Sequence, residues 1–410
     1  MAVDAEPADD GAEPTGPLTG VRIVELGQLL AGPFCGQLLG DLGAEVIKVE
    51  DPGRGDPMRE WGRVKSNGEA LWWPIIARNK KSVTLDVRSP SGQAVFRRLA
   101  ARADIVIENL RPGTLERWGL GYDALSQSNP GLILVRVTGF GQSGPYADYA
   151  GYGSIGEAMG GIRYVTGDPT TPPSRVGISI GDSLAAMFAT IGALSALHAR
   201  QRTGTGQIID CALYEAVLAV MESLVTEYDV AGHIRERTGS ILPKIAPSNV
   251  YPTSDGELVV IGANQDTVFR RLAGAMGRPE LADDPRFATH GARGEHQALL
   301  DDTIAEWSAT LATDELIATL RADGVPVGRI YRAPEMLADP HFQARESITR
   351  VKHPTLGDVA MQNVMPRLSA TPGSIAWCGP ELGQHNDDVY RGVLGMDDGE
   401  LDALVAEGVV

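Results

Sequence analysis

The first 140 residues alternate short β-branched runs with helix-patterned segments, and few folds accept that order. Strand candidates are Val21–Leu26, Glu45–Val49, Ser82–Val87, Asp104–Ile107 and Ile133–Val137. Helix candidates Phe34–Leu42, Pro90–Ala101 and Tyr122–Gln127 lie between them. Strands that alternate with helices predict βαβ units and a parallel sheet. Right-handed crossovers then predict a doubly wound, Rossmann-like layer. A nicotinamide-binding sheet would carry Gly-x-Gly-x-x-Gly after its first strand. Ala31-Gly-Pro-Phe-Cys-Gly36 stands there instead, with Pro33 at a position suited to a helix start. The layer is dinucleotide-like in form without the dinucleotide fingerprint, which argues against a dehydrogenase.

Beyond Leu197 come a Gly/Thr-rich turn (200–206), a strand at Gln207–Cys211 and one long amphipathic helix over about Leu213–Ala231. Asn249–Thr253, the turn Ser254-Asp-Gly256 and Glu257–Ile261 read as a β-hairpin. Helices are expected near Gln265–Met276, Glu295–Thr310 and Thr313–Ala322, with Pro326–Ile330 strand-like. This pattern predicts a smaller α+β domain over 235–335, leaving 18–234 and 336–410 to the large Rossmann-like domain. The tail from Ser347 has strand-like pieces and a last helix near Asp398–Glu407. Residues 1–17 are acidic and Pro/Gly-rich, and are expected to be a disordered extension without the basic start and apolar stretch of a signal peptide.

Net charge is −17, which disfavours nucleic acid as a partner. The apolar run 184–197 is shorter than the ~20 residues of a membrane span and reads as a buried core helix. Three scattered cysteines, Cys35, Cys211 and Cys378, fit neither a disulfide framework nor a zinc site. Buried thiols in a reducing cytoplasm are the expectation. The seven histidines do not cluster, and no metal is expected.

Val176-Gly-Ile-Ser-Ile-Gly-Asp182-Ser183 places a carboxylate between a strand-like run and a long apolar helix. Asp182 there either caps the helix or serves as a nucleophile that forms an acyl intermediate. Ser183 would serve equally well as the cap. Upstream lies Ala150-Gly-Tyr-Gly-Ser-Ile-Gly-Glu-Ala-Met-Gly-Gly161, and downstream Arg202-Thr-Gly-Thr-Gly-Gln207. With Gly20–Glu25, Leu30-Ala-Gly-Pro33, Leu42–Glu50, Arg78–Ser82, Glu108-Asn109, Pro112-Gly113, Gly139–Pro145 and Leu382-Gly-Gln-His385, this order resembles the class III CoA-transferases over about 370 residues. That family includes formyl-CoA, carnitine and succinyl-CoA:dicarboxylate transferases.

The resemblance implies that Asp182 is the nucleophile and that a CoA thioester is substrate, with no further cofactor. It implies an interlocked homodimer and a tail that returns to the large domain. It puts Leu30 and Ala31 at the CoA entrance. Leu85, Asp86, Val87 and Arg88, with Leu110 and Arg111, would line the adenine and phosphate end. Arg117 would meet a phosphate, and Thr138, Gly139, Phe140 and Gly141 the pantetheine arm. Gly262, in Ile261–Gln265, matches the glycine-containing loop beside the nucleophile; its plainer reading is a strand end. Where formyl-CoA transferases have several glycines, this chain has Gly262 alone. Where they have a phosphate-binding arginine, it has Asp51.

An acidic chain that binds polyanionic CoA needs a local cationic pocket. Arg78, Lys80 and Lys81 form the densest cationic stretch, with Arg136 further on, unless these are ordinary solvated charges. The dicarboxylate branch is the nearest match, with Lys244 or Arg78 as partner for a second carboxylate. The chief rival is α-methylacyl-CoA racemase, which needs a second acid/base opposite the aspartate. Tyr152 stands where that histidine would be, and an unperturbed tyrosine titrates near ~10. A non-catalytic interaction protein is the remaining alternative.

Overall fold

The computed structural model describes residues 16–410. The expected disordered extension lies, up to residue 15, outside the described residues. Gly16 itself approaches Leu42, whose carbonyl accepts from the Leu18 amide at 3.0 Å. The chain divides into two compact units. The first contains the described residues up to Ile162, Gly177–Ser223 and His341–Val410; the second contains Arg163–Val176 and Leu224–Pro340. Segments 163–176, 224–234 and 336–340, expected in the large domain, therefore group with the smaller unit.

The first unit is built on six strands: β1 (Arg22–Glu25), β2 (Glu45–Glu50), β3 (Lys80–Thr84), β4 (Ile105–Glu108), β5 (Ile133–Thr138) and β6 (Ile208–Ala212). Their order is β3-β2-β1-β4-β5-β6, and every pair is parallel. This is the doubly wound order, whose direction of winding reverses between β1 and β4. β3 begins two residues before the expected strand and ends three before its expected end, so Leu85–Val87 form a loop at its carboxyl end. Helices α1 (Ala31–Asp41), α2 (Pro90–Ala100) and α3 (Tyr122–Ser128) fill the first crossovers. Pro90 opens α2, and the Ser89 hydroxyl accepts from the Gly92 amide at 3.0 Å as its cap.

One face of the sheet is apolar. Val24, Ile47, Val83, Val106 and Leu134 pack with Phe96 and Leu99 of α2 and with Tyr390 and Leu401 of the tail. On β2 the alternate residues Lys48 and Glu50 face the other way and are also buried. There Gly36 of α1 lies over Glu25; a Cβ at Gly36 would come within 1.9 Å of the carboxylate.

Helix α4 (Gly153–Met159) is followed by α5 (Ile180–Thr203), and α6 (Leu213–Leu218) follows β6. The helix expected over Leu213–Ala231 is broken: α6 stops at Leu218, Glu222 turns with φ 54°, and a separate helix runs Leu224–Ala231. α5 has 24 residues, longer than its apolar run, and is long and apolar enough to cross a membrane. Its buried side, Leu184, Ala185, Ala189, Ala193 and Ala196, packs within the unit. The tail supplies the antiparallel pair Ile348–His353 and Gly357–Gln362. It also completes the edge of β3. His385 accepts from the Ser82 amide and Asn386 from the Thr84 amide, and the Tyr390 hydroxyl donates to the Thr84 carbonyl at 2.6 Å.

The second unit has its own sheet and core. β7 (Ser248–Pro252), β8 (Leu258–Gly262) and β9 (Val327–Arg329) are antiparallel, with β8 central. Helices α7 (Asp266–Ala275), α8 (Gln297–Ser308) and α9 (Thr313–Ala322) bury Phe269, Leu272, Leu300, Ile304, Leu316 and Leu320 against it.

Candidate active site

Open α/β sheets bind ligands outside the carboxyl ends of their strands, at the point where strand order reverses. Here the loops after β1 and β4 meet at that point. Asn109 clamps the β1 loop, accepting from the Gln28 amide and donating to its carbonyl, both at 2.8 Å. Leu29 holds a left-handed conformation, φ 62°, with its amide donated to Asp56 at 3.1 Å. Leu30 and Ala31 follow at the start of α1, beside this clamp. Leu110 donates its amide to Glu108 at 2.6 Å, and Arg111 projects into solvent. Arg117 is exposed on the next turn and donates to Thr114 at 2.8 Å.

A buried charge network lies beneath. Lys48 Nζ is 2.7 Å from Asp56 and 3.0 Å from Glu25, and donates to the Gly27 carbonyl at 2.8 Å. Lys80 donates to Glu25 at 2.8 Å and to the Pro33 carbonyl at 2.6 Å. Burial alone would push the Lys48 pKa down, but Asp56, Glu25 and Glu50 outweigh it and hold it above the usual lysine value. For Lys80, burial wins with the help of Lys48, and the shift is downward.

These pairings correct the expectation of a cationic CoA pocket at Arg78–Lys81. Arg78 is buried against Asp41 at 2.5 Å, Lys80 is closed under the sheet, and Lys81 pairs with Glu45 at 3.0 Å. Arg136 is likewise buried between Glu108 and Glu116. Of the second-carboxylate candidates, Arg78 is committed to Asp41, and Lys244 is a surface residue 3.2 Å from Glu295. The exposed cations of the CoA set are Arg88, Arg111 and Arg117.

Leu85 and Val87 are buried at the carboxyl end of β3, and the Leu85 amide donates to Glu50 O at 2.8 Å. Arg88 projects outward with its guanidinium on Asp86 at 2.7 Å and on Asp51, the residue that follows β2. Burial opposes ionisation of Asp86, but the hydrogen bonds and charge of Arg88 together outweigh it and hold the carboxyl below its usual range.

Across the sheet, Thr138 ends β5 and leads into Gly139-Phe-Gly141. Gly139 meets Gly151 backbone to backbone; a Cβ on Gly139 would be 2.7 Å from the Gly151 Cα. Gly141 has φ 85°, and the next amide, Gln142 N, donates to Asp210 of β6 at 2.9 Å. The Phe140 ring lies edge-on to Tyr146 and Tyr149.

Gly151 leads through Tyr152 into α4, where the glycine spacing acquires a reason. Gly153, Gly156 and Gly160 fall on one face. A Cβ at Gly156 would be 2.7 Å from Leu213, one at Gly160 2.6 Å from Val217, and one at Gly153 2.2 Å from Asp182 Oδ2. The first two let α4 lie close on α6. The third makes room for a carboxylate.

Asp182 is not the N-cap. That position is Ser179, so Asp182 is the third residue of α5, half-buried. Ser183 is not the cap either; its hydroxyl donates to the Ser179 carbonyl at 3.0 Å. A carboxylate in the first turn lies in the positive end of the helix field. Tyr152 stands at the head of α4 and is 67% exposed.

Gly262 lies in the second unit as the last residue of β8, with its amide donated to the Pro326 carbonyl at 3.1 Å and open space where a Cβ would stand. Two residues on, the Asn264 carbonyl is 2.9 Å from His290 Nδ1 and accepts from Arg293 at 2.7 Å. Sequence reasoning did not single out Gly153 or Asp56 and assigned Asn109 no role. The i, i+3, i+7 glycine spacing was the available signal for Gly153; nothing local pointed to Asp56.

The model of CoA-transferase family III matches residues 18–386, and the chain belongs to that family. It is 63% identical to succinyl-CoA–D-citramalate CoA-transferase of Chloroflexus aurantiacus, over 97% of this chain and 99% of that protein. It is 41% identical to the succinyl-CoA–L-malate CoA-transferase beta subunit of the same organism, over 98% of this chain and 100% of the relative. Among solved structures, a CAIB/BAIF family protein from Brucella suis superposes with TM-score 0.83 at 38% identity, covering 93% of this chain and 100% of the other. The chain is therefore an enzyme that transfers CoA.

Proposed function

We propose that this enzyme moves CoA from succinyl-CoA to a dicarboxylic acid of the citramalate or malate type, with Asp182 as the nucleophile. The observation that carries the mechanism is the Asp182 carboxylate in the first turn of α5, given space by a glycine where any Cβ would collide. The substrates follow from the relatives, which act on D-citramalate and L-malate.

The chemistry needs only groups that the chain and substrates supply. An Asp182 oxygen attacks the thioester carbonyl, the C–S bond breaks, and CoA thiolate leaves a succinyl–aspartyl anhydride. The thiolate attacks the aspartyl carbonyl, succinate departs, and Asp182 carries CoA as a thioester. The acceptor carboxylate attacks that thioester and expels thiolate. The thiolate then attacks the acceptor's acyl carbon, which releases the new CoA thioester and restores Asp182. Each step exchanges groups of similar energy, so the thioester is not spent. Leu30 and Ala31 border the CoA entrance, Leu85–Arg88, Leu110 and Arg111 line the adenine and phosphate end, and Arg117 meets a phosphate. Thr138–Gly141 hold the pantetheine arm.

The working assembly is an interlocked homodimer. Ile191 and Met187, one turn apart on α5, are exposed at 58% and 39%, and Ile208 and Leu218 at 45% and 41%, apolar groups that a second copy would cover. We place the enzyme in the cytoplasm, a reading supported by its three buried free thiols. Light scattering on the eluting protein checks the dimer.

The decisive experiment incubates the enzyme with succinyl-CoA and a panel of mono- and dicarboxylic acids. Mass spectrometry then reads the new thioesters and the intact protein. A citramalyl- or malyl-CoA product, with a CoA adduct on Asp182, is expected. Near-normal turnover by Asp182→Ala would overturn the mechanism.

A further inference from the structure

The turn after β1 is strained. Leu29 has φ 62°, a left-handed conformation that a residue with a Cβ adopts only at a cost. Strain of this kind persists only where the surrounding structure holds it, and it gathers at functional sites. Here it lies where the strand order reverses, the place at which open α/β sheets bind ligands. Leu30 and Ala31 follow directly, as the cap and first residue of α1.

Two side chains hold the turn. Asn109 brackets Gln28. Asp56 arrives from the loop after β2, and its Oδ1 accepts from the Leu29 amide at 3.1 Å and from the Met58 amide at 2.8 Å. Its Oδ2 is 2.7 Å from Lys48 Nζ, and its own amide donates to Glu50 at 2.8 Å. Capping of the short turn Pro57–Arg59 explains the Met58 bond. It explains neither the bond to Leu29 nor a buried, lysine-paired carboxylate. Burial opposes ionisation of Asp56, but Lys48 and the two amides outweigh it and hold the carboxyl below its usual range. Leu29, Leu30 and Phe34 pack on Met58, Trp73, Ile76 and Ala77, so the two loops that Asp56 ties together share one apolar cluster.

We propose that Asp56 is a positioning residue for the transfer reaction: it holds Leu29 in the left-handed turn and so sets Leu30 and Ala31 for the incoming thioester. The inference rests on the reading above that Leu30 and Ala31 border the CoA entrance.

The test is steady-state kinetics of succinyl-CoA-dependent thioester formation by the full chain, with circular dichroism to show that each variant is folded. Asp56→Ala is expected to raise KM for succinyl-CoA about tenfold, with kcat and KM for the acceptor acid changed by less than about threefold. A residue that only stabilised the fold would lower the active fraction, and with it kcat, and leave KM alone. In the Leu29→Gly background the same substitution is expected to shift KM by less than about threefold, because glycine takes the left-handed turn unaided. Leu29→Val leaves the buried charges intact and makes the turn harder to hold, so KM is expected to rise about three- to tenfold. That variant decides the matter if Asp56→Ala does not fold. An unmoved KM in Asp56→Ala or in Leu29→Val, or an equal rise in both backgrounds, overturns the proposal and leaves the CoA-transferase reading standing. No new thioester from the wild-type enzyme overturns that reading, and the proposal with it.

Discussion

Gly153→Ala separates the position of the Asp182 carboxylate from its mere presence. The new Cβ would lie 2.2 Å from Oδ2, 2.8 Å from Cγ and 3.1 Å from Oδ1, where ordinary contact begins at 3.4 Å. Asp182 is half-buried on a short side chain, so the carboxylate would yield by about 1 Å and the helices would stay in place. A displacement of that size at a reacting group costs on the order of 100-fold in rate. Stability should barely change, because Gly153 is the first residue of α4, its φ is not left-handed, and alanine is the better helix former by about 0.5–1 kcal/mol. The assay is kcat for succinyl-CoA-dependent thioester formation, with KM for succinyl-CoA and the thermal midpoint measured alongside. The expected pattern is a kcat down about 100-fold, with KM and midpoint nearly unchanged. A kcat equal to wild type would refute the reasoning, since the nucleophile cannot be both pushed aside and unaffected.

Three further outcomes are expected. Asn109→Ala removes two hydrogen bonds to Gln28, each worth about 1 kcal/mol, so the acyl-CoA KM should rise about tenfold or more at unchanged kcat. A lower kcat at unchanged KM would show that the β1 loop does not border the CoA entrance. Lys48→Met leaves Asp56 and Glu25 buried with too little positive charge, and urea unfolding should show a loss of about 3–5 kcal/mol. A loss below ~1 kcal/mol would contradict the network. In the second unit, hydrogen bonds from Thr253 and Thr313 lower the Asp255 pKa to about 2. A depressed carboxyl contributes stability above its unfolded pKa near 3.8, lost as pH falls toward 2. Asp255→Asn should flatten the acid dependence of unfolding read at Trp307, which packs on that core; an unchanged slope would count against it.

The alternation of strand and helix made the parallel sheet legible, because each element is specified by local pattern and the crossover rule orders them. Long-range pairing was not legible. Arg78, Lys80 and Lys81 read as a cationic patch because they are adjacent in sequence, yet their partners Asp41, Glu25 and Glu45 arrive from α1, β1 and β2. The apolar periodicity of Leu213–Ala231 predicts one helix, and tertiary placement overrides it at Glu222. The place of Asp182 was marked by its neighbours in sequence. The reason a glycine stands at position 153 lies 29 residues away and becomes visible only when α4 meets α5.

The closure of β3 by the tail sets a clock on biosynthesis. Thr84 waits for Asn386 and Tyr390, 302 and 306 residues downstream. At about 5–20 residues per second, the ribosome leaves that edge uncovered for roughly 15–60 s. An open edge strand is a template for pairing with other chains. Until the tail is made, the nascent sheet carries that edge without the partners that cap it in the finished fold.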